Sequence, residues 1–167
     1  MPAIAQDADW RVVAVAADQA SGLAINHLKV CAEAPYFGAC VDHPEAWKRN
    51  ETLHLYLEPS GLRRQTGPWG YRLKFSEDLI LRDADGAELW RRDGMLRVVR
   101  ETQQPMLDIY AVNRIDLSGM PAGKYQVQVI VHDEISGQQA DARLAFAVGA
   151  RSGAKPSPDL APERRGK

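Results

Sequence analysis

The sequence predicts an all-β protein, an antiparallel β-sandwich of about eight or nine strands, from three observations. Short runs of alternating apolar residues recur along the chain, turn residues bound most of them, and no helical period of useful length interrupts them. The plainest example is the stretch from Ile115 to Val148. Met120-Pro121-Ala122-Gly123 breaks any helix and supplies a turn, so a strand should start just after it. From there Tyr125, Val127, Val129 and Val131 fall on one face, and Gln126, Gln128, Ile130 and His132 on the other. The first set is a core face and the second is largely wet. Asp133 to Gly137 has the composition of a hairpin loop, and Leu144, Phe146 and Val148 then alternate with Arg143, Ala145 and Ala147 as the neighbouring antiparallel strand.

The remaining elements follow in order. Trp10 to Ala16 is predicted as the first strand, with Trp10 in the core. Leu28 to Cys31 alternates, although the alanine-rich span Ala24 to Ala34 also fits a short helix. Pro35 to Gly38 is a turn or bulge, and Asp42 to Asn50 a loop with one helical turn starting at Pro44. Leu53, Leu55 and Leu57 alternate with His54, Tyr56 and Glu58 until Pro59-Ser60-Gly61 stops the strand. Tyr71, Leu73 and Phe75 keep phase with Leu79 and Leu81 across Glu77-Asp78, which predicts one long or bulged strand. Asp83 to Gly86 is a hairpin loop, Ala87 to Trp90 begins a return strand with Trp90 in the core, and Met95 to Val99 is a separate strand. Leu107, Ile109 and Ala111 alternate ahead of Ile115 and make a three-strand ending.

Ile115-Asp116-Leu117, then Pro121-Ala122-Gly123-Lys124-Tyr125 and a strand ending in His132-Asp133, resemble the last strands of bacterial immunoglobulin-like and fibronectin-III-like domains. Tyr36-Phe37-Gly38 followed by Leu53 to Pro59 is similar to a pattern in uncharacterised exported bacterial β-sandwich proteins. The resemblance implies an immunoglobulin-like sandwich and no activity.

With 167 residues the chain suffices for one domain. Residues 1–9 are expected to be a leader remnant or a flexible segment, 10–149 the sandwich, and 150–167 a disordered basic tail. Ala3-Ile4-Ala5 before Gln6 fits a small-x-small cleavage site and equally fits chance in an alanine-rich chain. The tail has three prolines, five basic and two acidic residues, and Leu160 as its one large apolar side chain, too little to offset ordering. A net charge of −1 gives no reason to expect nucleic acid or an anionic membrane as partner. No apolar run approaches the roughly 18 residues of a membrane-spanning helix, so the chain should be soluble, in the periplasm or secreted.

Cys31 and Cys40 lie close enough in sequence for a hairpin with Pro35 and Gly38 to join them, and an exported chain favours the disulfide. Free thiols are one alternative. A metal site of His27, Cys31, Cys40 and His43 is the other, two thiolates and two imidazoles being a set that zinc accepts, although the spacing matches no common zinc motif. Asp83, Asp85 and Glu88 imitate the start of a calcium loop, but Leu89, Trp90 and two arginines follow, and the turn reading is preferred. No nucleophile elbow, P-loop or His-Glu-x-x-His is present. His132-Asp133-Glu134 with His54 could form an acid/base cluster, or simply a solvated strand end. Tyr36, Trp47 and Trp69 sit beside turn residues and are the candidate binding aromatics. The preferred function is a noncatalytic binding or structural module of the bacterial envelope, without a cofactor, that contacts another envelope protein as an accessory subunit. A carbohydrate-binding module is the alternative, and a small metal-handling or hydrolytic domain the third reading.

Overall fold

The computed structural model describes residues 9–43 and 46–149. The expectations for residues 1–8 of the leader segment 1–9, for a helical turn starting at Pro44 and for the tail 150–167 lie outside these residues.

The chain begins with a helix where a strand was expected. α1 (Trp10–Ala20) starts at Asp9, whose carboxylate accepts the Arg11 N–H at 3.0 Å, and ends at Ser21, whose N–H turns back onto the carbonyls of the last turn. Its alanines favour the helix, whereas the valines that suggested a strand only weakly oppose it. Val15 is its buried residue, and Trp10 is 63% exposed rather than in the core. Eight strands follow: β1 (Ala24–Cys31), β2 (Thr52–Ser60), β3 (Arg64–Gly67), β4 (Gly70–Asp83), β5 (Glu88–Thr102), β6 (Ala111–Asp116), β7 (Gly123–Asp133) and β8 (Gln139–Val148). Of the two readings of Ala24 to Ala34, the strand is the one formed.

Two antiparallel sheets result. One has the order β1-β2-β6. The other, curled into a half-barrel, is built on β4, which pairs with β5 along one edge and, in line along the other, with β3 and then β7; β8 pairs with β7. The long strand predicted through Glu77-Asp78 is β4. Its partner β5 is also one long strand, not two, because Asp93-Gly94 is taken up as a bulge instead of a turn. Gly94 has a φ of 62° there, and its N–H donates to Asp78 at 2.7 Å. β6 starts at Ala111, four residues later than the alternation from Leu107 suggests, and joins β2 in the smaller sheet. β3 had no counterpart in the sequence reading.

The core lies between the sheets. Leu53, Leu55 and Leu57 from β2 and Ala111 and Ile115 from β6 face Leu73, Phe75, Leu79 and Leu81 from β4, the four-residue core face of β7 predicted from its alternation, and Phe146 and Val148 from β8. Trp90 packs half-buried against this cluster. The two sheets meet on one side, where β1 lies against β8 and Trp47 bridges to Val148. On the opposite side they do not meet: β5 pairs only with β4, and β6 only with β2.

α1 docks by polar contacts. Asp18 accepts the Gly61 N–H at 2.9 Å and pairs with the buried Arg64 guanidinium at 2.5 Å, while Gln19 accepts the Arg64 N–H at 2.8 Å. Arg64 also donates to the carbonyls of Leu62 and Met106. Gly61 is required at this junction, since its φ is 74° and a Cβ would meet the Gly22 carbonyl oxygen at 1.9 Å.

Candidate functional site

The open side between β5 and β6 holds an apolar cavity of about 370 Å³. Leu73 and Phe75 of β4 and Leu96 and Val98 of β5 line it, because these residues share the inward phase set by the pairs Phe75–Val98 and Glu77–Leu96. The opposite wall is the connection from Met106 to Tyr110 and the first residues of β6, with Arg100, Asp108 and Tyr110 also in the lining. Beyond Phe75 and Ala111 the same inward phase places Glu77 and Asn113, both buried. Asn113 donates to one oxygen of Glu77 at 2.5 Å; the other oxygen is buried without a partner. Burial pushes the Glu77 carboxyl up to about 7, against a partial lowering by the Asn113 bond.

A second feature covers the outer face of β2. Residues 32–41 turn back as a small hairpin, with Ala32 and Val41 each donating across it at 2.8 and 2.9 Å, and the Cys31–Cys40 disulfide closes its base with Cα atoms 5.3 Å apart. The hairpin puts the Gly38 N–H on the Tyr56 hydroxyl at 2.8 Å, and that hydroxyl donates to Glu58 at 2.5 Å. Tyr110 stacks on Tyr56 with ring centres 5.9 Å apart, and Phe37 meets Tyr110 edge-on. Tyr56 is thereby buried on what the alternation alone makes an outer face, and burial, with the Glu58 bond, pushes its hydroxyl up to about 12. Phe37 and Tyr110 stay part-exposed and Tyr36 is 66% exposed, so an aromatic rim borders the cavity at Tyr110.

The sequence-derived candidates have mixed fates. The disulfide forms, so the four-ligand site does not: His27 lies 3.8 Å from Glu58, and His43 pairs with Glu51 at 3.1 Å. Among the described residues no cluster of three or more His, Cys, Asp or Glu is placed to hold a metal. Trp47 is 5% exposed, not a surface residue, because its ring stacks on His43 and its backbone bridges to the end of β8. Trp69 is half-buried in the β3–β4 turn beneath the Arg72 guanidinium, 4.5 Å from the ring centre. Tyr36 alone keeps the exposure expected of it.

Asp83 closes its own turn, accepting the N–H groups of Asp85 and Ala87. His132 and His54 stand in different sheets and form no cluster. His132 pairs with Asp78 at 2.7 Å instead. Burial raises the Asp78 carboxyl, but bonds from Gly94 and His132 outweigh it and leave the group below its ordinary range. Asp133 is buried as the acceptor for Arg63, Ile135 and Ser136 in the β7–β8 turn. The residues that sequence reasoning missed are Phe37, Tyr110 and Glu77. Tyr110 and Glu77 each sat in an alternation already read.

No family model and no curated protein matches the chain. Among solved structures it is similar to the Pseudomonas fluorescens alkylpurine DNA glycosylase AlkC bound to DNA containing an abasic site analogue, at 16% identity and a TM-score of 0.39 over 77% of this chain and 30% of that one. It is also similar to a Bacteroides uniformis β-glucuronidase, at 13% identity and a TM-score of 0.32 over 75% of this chain and 13% of that one. The chain thus spans less than a third of either protein. No helix among the described residues is long and apolar enough to cross a membrane.

Proposed function

We propose that the chain is a noncatalytic, immunoglobulin-like binding module of the bacterial envelope that engages another envelope protein as an accessory subunit. The observation that carries this reading is the open side, where an apolar cavity lies between two strands that each have one unpaired edge. Soluble domains seldom leave such a combination uncovered. The Cys31–Cys40 disulfide is compatible with an oxidising compartment outside the cytoplasm.

Affinity capture from a native envelope fraction tests it, with the wild-type chain beside a Val98→Glu variant that places a charge in the cavity. One protein enriched by the wild type and depleted with the variant is the expected result. Equal recovery with both would overturn the reading. A carbohydrate-binding role is favoured by a different observation, the exposed rings of Tyr36, Phe37 and Tyr110. It predicts retardation in polysaccharide-loaded gels that Tyr36→Ala abolishes.

A further inference from the structure

β5 is fifteen residues long and is an edge strand throughout. Edges of this kind are normally blunted by charge, proline or cover. β5 has no proline, and its charges are unevenly matched. Glu101 is taken by Arg72 and Asp93 by Arg91, which leaves Glu88 as its acidic residue outside an ion pair. Arg92, Arg97 and Arg100 have no carboxylate within ion-pair distance among the described residues. The strand therefore shows unpaired backbone groups and a surplus of positive charge together. A second copy of β5 laid against the first would add a second positive surplus to the same edge, which disfavours self-pairing. An acidic strand instead meets that positive surplus, with Asp108, in the same cavity lining, as the carboxylate it has to avoid there.

Register sharpens the match. Leu96, Val98 and Arg100 point to the cavity side, and Arg97 and Val99 to the other face. A strand added antiparallel to β5 would set its own residues opposite these on the same faces. Apolar residues opposite Leu96 and Val98 would enter the 370 Å³ space, and carboxylates opposite Arg97 and Arg100 would satisfy the charge.

We propose that the open side takes an extended, acidic polypeptide segment of a partner protein as an added strand on the free edge of β5. Its apolar side chains fill the cavity over Leu96 and Val98, and its carboxylates pair with Arg97 and Arg100. This rests on the protein-binding reading above and names the partner's chemistry: backbone pairing supplies affinity, and the placing of apolar and acidic residues along the added strand supplies specificity.

The test is selection from a displayed library of randomised peptides about eight residues long, the length of a strand. Enriched peptides should carry the order acidic-x-apolar-acidic-apolar, which an antiparallel strand needs to meet Arg100, Val98, Arg97 and Leu96 in turn. A synthetic copy should slow hydrogen exchange of β5 amides, and N-methylation of alternate backbone nitrogens should weaken it by about tenfold or more. The doubly substituted Arg97→Glu, Arg100→Glu protein, whose changes are on exposed side chains, should lose binding by about tenfold or more and regain it with a peptide carrying Lys in place of the acids. Enrichment of basic peptides or of peptides without that order, or binding indifferent to N-methylation, would overturn the proposal. Exchange protection confined to residues 32–41 would also overturn it while leaving a binding module intact. Failure of the envelope capture together with an empty selection would sink both.

Discussion

Glu77 and Tyr56 are the side chains whose surroundings most alter their chemistry, and each makes a prediction. Glu77 titrates near 4.5 in the unfolded chain and about 7 in the folded one. Between those values the folded state holds a proton that the unfolded chain has lost. Stability from this group is therefore complete below the unfolded value and is lost as pH rises through about 7. The full swing is on the order of 3 kcal/mol. Glu77→Gln keeps an acceptor for Asn113 and carries no charge, so urea melts should show a flattened decline toward pH 8 and a gain there of about 1 to 3 kcal/mol; a decline matching the wild type would refute the account. Burial is the largest cause of the Tyr56 shift, and the hairpin supplies part of that cover, although its Gly38 N–H pulls the other way. Replacing both Cys31 and Cys40 by Ser should lower stability by roughly 2 to 3 kcal/mol and bring one tyrosine down toward its ordinary range, read by tyrosinate absorbance. Glu77 was visible in the sequence as a charged residue in a core phase, but alternation alone does not say whether such a residue is buried or lifted out by a bulge. Tyr56 was not visible, because its cover comes from a folded-back segment and from Tyr110, which lie outside its own strand.

At the scale of the element, α1 and β5 show where local pattern misleads. Val12, Val13 and Val15 read as a strand, yet Asp9 caps a helix and Asp18 and Gln19 anchor it to the turn before β3. Those anchoring contacts reach across more than forty positions, beyond any local period. Asp18→Ala removes the acceptor for Gly61 and leaves the buried Arg64 without its carboxylate. With Asp18 itself partly exposed, the loss should be about 2 kcal/mol. The amides of α1 should exchange faster than those of β4, and unchanged exchange in α1 would show that the helix is held otherwise. In β5 the Asp93-Gly94 pair looks like a turn signal. The Asp78 carboxylate across the sheet takes up the Gly94 N–H, so the strand continues with a bulge.

For the whole molecule, alternation identified the core faces of β2, β4, β7 and β8 and the β7–β8 hairpin, since those depend on residues near in sequence. Sheet membership did not follow from it, because β6 chooses β2 over β7 through burial of Ala111 and Ile115 against a distant sheet. The same limit explains Trp47, which looks like a loop residue until Val148 returns to meet it. Cys31–Cys40 was legible for the opposite reason: a short loop is enough to specify it.

The pairing of β2 with β6 also sets an order of assembly. β4–β5 and β7–β8 join neighbours in sequence and can zip early, whereas β2 must wait while β3, β4 and β5 intervene before its partner arrives. During synthesis the smaller sheet therefore exists for a time as β1 and β2 alone, with the Leu53, Leu55 and Leu57 face uncovered. Apolar surface exposed in that interval is the kind that favours aggregation, so substitutions that weaken the β2–β6 pairing should lower the soluble yield of synthesis more than equally destabilising ones in the β7–β8 hairpin.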